Sequence, residues 1–190
     1  MAWGKLSSNS ITVAGDTLTG DSFTTSKFIQ YLGHLIPETS NNTEMFIRPN
    51  NNSNTVYANR KSVNGGTDVT AVSQTEINSN GDNVPTFQVI YFINILGEEK
   101  LGIHFETSAQ ETGAGTAPSR REQVDKFVPS PDVDITSFTG INTRASANLG
   151  VDTNISALGS DITPAAAIPF AENAQVGSRA EITDTRKMYH

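Results

Sequence analysis

The stretch TFQVIYFINILGEEKLGIHFET, residues 86–107, is the most hydrophobic part of the chain and decides the fold. Its first run, 87–96, is rich in β-branched and aromatic residues, which favour strands. Its second run, 101–105, alternates in the manner of a strand. One face of this second strand carries Leu101, Ile103 and Phe105, and the other Gly102, His104 and Glu106. The charged break GEEK, 97–100, is a common length for a hairpin connection, so the stretch predicts a central β-hairpin.

The composition predicts an all-β chain with many polar loops. Ser, Thr and Asn make up 57 of the 190 residues, and the charged fraction is only 17%. Thr favours strands, whereas Asn and Ser favour turns. The length is that of one domain, which at this size needs neither metal nor disulfide to fold, and there is no Cys.

The charge and hydropathy argue against two classes of partner. A net charge of −7 with 13 basic residues is unsuited to a phosphate backbone, so we expect no nucleic acid. No run approaches the roughly 20 apolar residues of a membrane helix, so we expect no membrane partner. The opening MAWGKLSSNS lacks the basic and apolar regions of a signal peptide, so we expect folding in a cytoplasm.

Further strand patterns follow along the chain. Residues 27–36, KFIQYLGHLI, place Ile29, Tyr31 and Leu35 on one face, and the alternative, a helix, is disfavoured by Gly33 and Pro37. Residues 120–128 fit either a short helix or a strand, and residues 133–142 predict a strand. Nine or ten strands at intervals of about ten residues predict an antiparallel β-sandwich, jelly-roll-like in character.

The composition changes after residue 160. We therefore predict a β-sandwich domain over 1–160 and an extended C-terminal arm or linker over 161–190, which is rich in Ala and Pro. The arm carries spaced apolar residues that a free tail would not need, and these are the predicted subunit-interface residues: Ile168, Phe170, Val176, Ile182, Met188 and Tyr189. The alternatives are a short strand that completes the parent sheet and a disordered tail.

No motif for catalysis or cofactor binding is present, so an enzyme is the least supported class, and we predict no catalytic, cofactor or metal site. The three histidines His34, His104 and His190 are far apart, and no HExxH string occurs. Asp132 and Asp134 share a strand face and raise a weaker calcium hypothesis, against a solvated strand edge.

Aromatic residues leave one binding hypothesis open. Trp3, Tyr31, Tyr57 and Tyr91 are the candidates for stacking on sugar rings in a carbohydrate-binding sandwich. Aromatic residues in strands are more often part of a core, so the pattern by itself favours packing.

Several strings resemble a family of virion structural proteins from marine tailed phages and related viruses. They are MAWGKL, TSKFIQYLGHLI at 25–36, VYANRKSVNGGTD at 56–68, FQVIYFINILGEEKLGIHF at 87–105, GAGTAPSRREQV at 113–124 and the closing SRAEITDTRKMYH. The closing segment is often followed by more chain in such proteins. These motifs are structural rather than catalytic.

The resemblance implies a non-enzymatic β-sandwich building block of a virus particle, assembled in the host cytoplasm, whose partners are copies of itself and other virion proteins. Capsid decoration, tail and fibre remain open as locations, and symmetric homo-oligomers are the default for identical copies. The alternative is a carbohydrate-binding, receptor-recognition module of a tail fibre, with a host-surface glycan as its ligand.

Overall fold

The computed structural model describes residues 3–38, 43–79, 84–111, 113–144 and 147–160, with the backbone of 180–182 and 187–189. The described chain is an antiparallel β-sandwich, in which an eight-stranded sheet packs against a three-stranded sheet, and no helix occurs in these ranges. The large sheet contains, in spatial order, β1 (Gly4–Ser10), β11 (Asn154–Ser160), β3 (Phe28–Leu35), β7 (Thr86–Ile93), β8 (Lys100–Ser108), β9 (Ser119–Phe127), β5 (Tyr57–Val63) and β6 (Val69–Gln74). The small sheet contains β2 (Thr17–Thr19), β10 (Phe138–Ile141) and β4 (Phe46–Pro49).

The predicted central hairpin is confirmed, because β7 and β8 pair in the middle of the large sheet. Its loop is longer than predicted, since β7 ends at Ile93 and β8 begins at Lys100. Asn94 turns its amide inward at the start of the loop. The amide nitrogen donates to the carbonyls of Ser26 (3.1 Å) and Ile135 (3.2 Å), and the amide oxygen accepts from the Ile135 N–H at 2.8 Å. These bonds draw the chain away from the sheet before residue 97.

Two other strand predictions are settled. Residues 27–36 form β3, with Ile29, Tyr31 and Leu35 all buried on one face as predicted. The ambiguous segment 120–128 is the strand β9 rather than a helix. Its buried face alternates with an exposed face along the whole strand, which is the period of a sheet.

Other strand predictions need correction. The described residues up to 160 contain eleven strands rather than nine or ten. The polar strand β1 carries no clear periodic signal and is held at the sheet edge by its pairing with β11. The predicted strand 133–142 is a strand only in β10. Residues 135–137 instead give their N–H groups to the side-chain oxygens of Asn94 and Asn50, which replaces a strand ladder.

The apolar core lies between the two sheets, where Tyr31, Phe92 and Phe138 meet. The Phe138 ring lies 5.2 Å from that of Tyr31 and 5.8 Å from that of Phe92, which are favourable aromatic separations. Gly102 of β8 faces the edge of the Phe92 ring, where an added Cβ would lie 2.9 Å from Phe92 Cε1. The core aromatic residue therefore requires glycine at that point of the hairpin.

The C-terminal arm is described only in part. Two short strands, β12 (Ala180–Ile182) and β13 (Lys187–Tyr189), pair antiparallel in a separate two-stranded sheet. Of the predicted interface residues, Ile168, Phe170 and Val176 lie outside the described residues. Ile182, Met188 and Tyr189 lie on these two strands, of which the backbone alone is described. Among the described residues, no helix has the length and apolar character required to span a bilayer.

Candidate functional site

The central hairpin turns its apolar face outward, away from the small sheet. Leu101, Ile103 and Phe105 are each about half exposed, while His104 and Glu106 on the opposite face are buried. Apolar side chains of β7 and β9 extend the exposed surface on both sides of β8. We call this surface the outer face, and its exposed members are Phe87, Tyr91, Leu101, Ile103, Phe105 and Val124, with Trp3 beside them.

The strand register makes the outer face continuous. Ile103 pairs with Tyr91 on one side and with Val124 on the other, and Phe105 pairs with Val89 of β7. At roughly half of the 150–250 Å² that an aromatic side chain presents, the four aromatic residues alone expose on the order of 400 Å², and the three aliphatic residues increase this to about 600 Å². A monomeric protein rarely exposes a contiguous apolar patch larger than a few hundred Å², so the outer face has the size of an interaction surface.

Part of the outer face is a concave groove with a volume of about 770 Å³. Trp3 and Phe28 line one side, Thr70 and Val72 of β6 line the other, and Ile103 lies on the floor. Trp3 is 44% exposed and Tyr91, also in the lining, is 42% exposed. Their ring centroids lie 6.3 Å apart in an edge-to-face arrangement. The lining is mainly apolar, which favours an apolar occupant.

Beneath the outer face, on the inner side of β8 and β9, lies a buried cluster of ionisable side chains. It consists of His104, Glu106, Arg121 and Asp125. The register places Glu106 directly opposite Arg121. Both imidazole nitrogens of His104 face carboxylates, with Nδ1 3.4 Å from Asp125 Oδ2 and Nε2 3.9 Å from Glu106 Oε2.

Arg121 is the largest of the fully buried side chains, and none of its three side-chain nitrogens has a hydrogen-bond partner in the described structure. Burial lowers the pKa of Arg121, and the neighbouring carboxylates of Glu106 and Asp125 oppose that effect. A buried charge that lacks hydrogen bonds depends on nearby opposite charge. The charge of Arg121 is therefore balanced by the charges of Glu106 and Asp125 rather than by direct hydrogen bonds to its guanidinium.

The cluster does not have the geometry of a nucleophilic triad. Ser79, the buried hydroxyl beside it, donates to Glu106 Oε2 at 3.0 Å rather than to His104. Gln88 Nε2 donates to the Ser79 hydroxyl at 2.6 Å and to the Met45 carbonyl at 3.1 Å. These bonds tie β7 to the segments that cover the inner face, which is a structural role.

The residues singled out by the sequence fall in different places. Tyr31 and Tyr57 are buried, whereas Trp3 and Tyr91 are exposed and in contact. The Asp132 carboxylate accepts hydrogen bonds from Lys100 Nζ at 2.9 Å and from the Gly97 N–H. Within the described ranges, no group of three or more His, Asp or Glu side chains is arranged to hold a metal ion.

Sequence reasoning did not find the buried cluster. The available signal was the alternation of β8, in which Lys100, His104, Glu106 and Ser108 share one face, whereas β9 carries polar residues on both faces. Only the register, which pairs Glu106 with Arg121 and His104 with Gln123, places these residues on one buried face. Comparisons with models of protein families, with curated proteins and with solved structures found no match to this chain.

Proposed function

We propose that this protein is a non-enzymatic structural component of a virus particle, a β-sandwich building block that acts through contacts between subunits. The proposal combines two supports. One is the resemblance of the strings at 25–36, 56–68 and 87–105 to virion structural proteins of tailed phages. The other is the outer face. Capsid decoration, tail and fibre are all compatible with such a block.

The exposed outer face is the observation that carries the proposal. A sheet face with Leu101, Ile103 and Phe105 turned to solvent has the composition of a surface that is covered in an assembly. Its estimated area approaches the roughly 800 Å² per partner of a standard protein interface. Ion pairs lie around it, such as Lys126 with Glu99 at 2.8 Å, which matches an apolar centre with a polar rim.

The oligomeric state of the purified full-length chain tests this proposal. We expect an oligomer by light scattering and sedimentation, and we expect the double variant Ile103→Lys and Phe105→Lys to be a folded monomer, because two charges on the face oppose its burial. The matched control carries Val13→Lys and Val151→Lys, two exposed valines in turns outside the groove, and should remain oligomeric. A monomeric wild-type chain would contradict assembly through this face.

Location in particles is a second and independent test. Quantitative mass spectrometry of purified virions that contain the protein should give a high copy number that fits the particle symmetry. A very low copy number confined to fibre tips would instead support the alternative role in receptor recognition.

The contact between Trp3 and Tyr91 favours one alternative function, a carbohydrate-binding module for a host-surface glycan. Two exposed aromatic rings beside a groove are suited to stacking on sugar rings. The mainly apolar lining argues against it, since sugars also require polar partners. Glycan-array binding by the wild type, lost in Tyr91→Ala and retained in Val72→Ala, would support this alternative over the structural role.

A further inference from the structure

We infer that the groove on the outer face is the docking site for a segment of this same chain, residues 164–170, which follow the last strand of the sandwich. The inference goes beyond the proposed function, because it assigns the groove to a segment of the same molecule and leaves the rest of the outer face, with Phe87 and Phe105, for contacts between subunits. The segment reads PAAAIPF and lies outside the described residues.

The position at which the chain leaves the sandwich is the first argument. Ser160, the last residue of β11, pairs with Phe28, and Gly159 pairs with Gly4, the neighbour of Trp3 in sequence. Phe28 and Trp3 both line the groove. The chain therefore leaves the large sheet at the rim of the groove.

The segment is long enough for Ile168 to reach the groove floor. Residues 161–168 span up to about 26 Å when extended, at roughly 3.3 Å per residue. The strands β11, β3, β7 and β8 are successive neighbours, so the floor at Ile103 is about 14 Å from β11 at roughly 4.8 Å per strand. Ile168 can therefore reach the groove floor.

The chemistry of the segment fits an apolar sheet face. Such a face offers no backbone partners, so an N–H pressed against it would lose its hydrogen bond at a cost. Pro164 and Pro169 carry no N–H and favour extended chain. In extended chain, Ile168 and Phe170 share one side, at the same two-residue spacing as Leu101, Ile103 and Phe105 on β8.

Charge also matches. Residues 162–171 carry no charge, and the flanking Asp161 and Glu172 are acidic. The solvent-facing charged residues that line the groove, Arg60 and Lys126, are basic, although each already has an acidic neighbour, Asp68 and Glu99 respectively. The match is therefore between the uncharged centre of the segment and the apolar floor of the groove.

The single tryptophan of the chain lies in the groove and provides the test. Acrylamide quenching of Trp3 fluorescence, which does not depend on local charge, is measured in the full-length chain and in the double variant Ile168→Asp and Phe170→Asp. If the segment covers Trp3, the quenching constant should rise about twofold in the variant, since the exposed part of a large aromatic side chain loses its cover. The matched control, Ala165→Ser with Ala167→Ser, alters the other side of the extended segment and should leave quenching unchanged.

A substitution in the groove itself provides the second half of the test. Ile103→Lys in the groove floor should raise Trp3 quenching to the same level, and combining it with the segment variant should add nothing further. Unchanged quenching in the segment variant, with circular dichroism showing a folded chain, would overturn the inference.

Sedimentation of the same proteins separates this inference from the proposed function. Raised quenching in the segment variant together with a monomeric wild type supports docking within one chain, and it removes the support for assembly. A wild-type oligomer that Ile103→Lys dissociates but the segment variant leaves intact, with unchanged quenching, supports assembly and overturns the docking of this segment.

Discussion

The ammonium group of Lys100 is fully buried and donates to the Asp132 carboxylate at 2.9 Å across the base of the central hairpin. It also donates to the carbonyls of Ile95 (2.6 Å) and Glu98 (2.8 Å), so its three donors are all used. The Gly97 N–H donates to the same carboxylate. Asp132, a calcium candidate in the sequence, thus closes the hairpin loop.

This arrangement predicts a pH-dependent contribution to stability. The hydrogen bond from Lys100, and then that from Gly97, hold the pKa of Asp132 below its ordinary value. A lowered folded-state pKa stabilises the fold at any pH above the unfolded value of about 3.9, and the contribution disappears as pH falls through the folded-state pKa. Asp132→Asn should therefore lower the urea midpoint at pH 7 and at pH 5, and its difference from the wild type should shrink below about pH 4.

The control for this prediction is Asp68→Asn. Asp68 forms an exposed ion pair with Arg60 at 3.9 Å, which should contribute less than about 1 kcal/mol at any pH. A difference between Asp132→Asn and the wild type that grows on acidification would contradict the assignment.

The buried pair Glu106 and Arg121 predicts strong coupling between the two residues. Arg121→Met removes the buried cation that faces Glu106 in register and should cost about 3 kcal/mol of unfolding free energy, as removal of one member of a buried pair does. Adding Glu106→Gln removes one of the carboxylates that balance Arg121, so the double variant should recover part of that cost. Urea unfolding of the four proteins gives the double-mutant cycle, and additive costs would show that the charges are independent.

The buried cluster around His104 also shows what could not be predicted from the sequence. Alternation along 101–105 predicted the strand correctly, but a period of two is the same for either choice of buried face. The structure places Ile103 and Phe105 in solvent and His104 inside, where Glu106 and Asp125 of the same sheet lie beside His104. Asp125 lies beside His104 because of the register between β8 and β9, and that register cannot be predicted from the sequence.

Other parts of the fold could be predicted from the sequence, and the reason is physical. In β3, both the pattern and a mid-strand glycine, Gly33, pointed to a strand with Ile29, Tyr31 and Leu35 on one face, and these three side chains are buried. The strand predicted over 133–142 is present only as β10, because the side chains of Asn94 and Asn50 accept hydrogen bonds from the N–H groups of residues 135–137. Such long-range side-chain contacts leave no periodic signal.

Gly102 gives a prediction about close packing. Alanine there would place Cβ 2.9 Å from Phe92 Cε1, and the Phe92 ring is itself packed on Phe138. Gly102→Ala should therefore lower the unfolding free energy by about 1–3 kcal/mol, the usual cost of overpacking. Gly115→Ala is the matched control, since its Cβ would meet no atom within 4 Å. Equal thermal midpoints for the two variants would contradict the packing described for the hairpin.

Truncation of isoleucine to alanine should cost a different amount of unfolding free energy on each face of the hairpin. Ile90 of β7 is 0% exposed and Ile103 of β8 is 53% exposed, although each lies in a strand of the same hairpin. Ile90→Ala should lower the unfolding free energy by about 3 kcal/mol, because it removes buried methyl groups and leaves a cavity in the core. Ile103→Ala removes groups that are half in water in the described sandwich and should cost less than about 1 kcal/mol in a monomer whose groove is left open by Ile168→Asp and Phe170→Asp. Both truncations are therefore made in that background. The comparison is made by urea unfolding at a protein concentration low enough to keep each chain monomeric, since assembly would stabilise the wild type by mass action. Equal costs for the two variants at that concentration would contradict the outward orientation of Ile103, and a cost that grows for Ile103→Ala alone as the concentration rises would show that another copy covers the outer face.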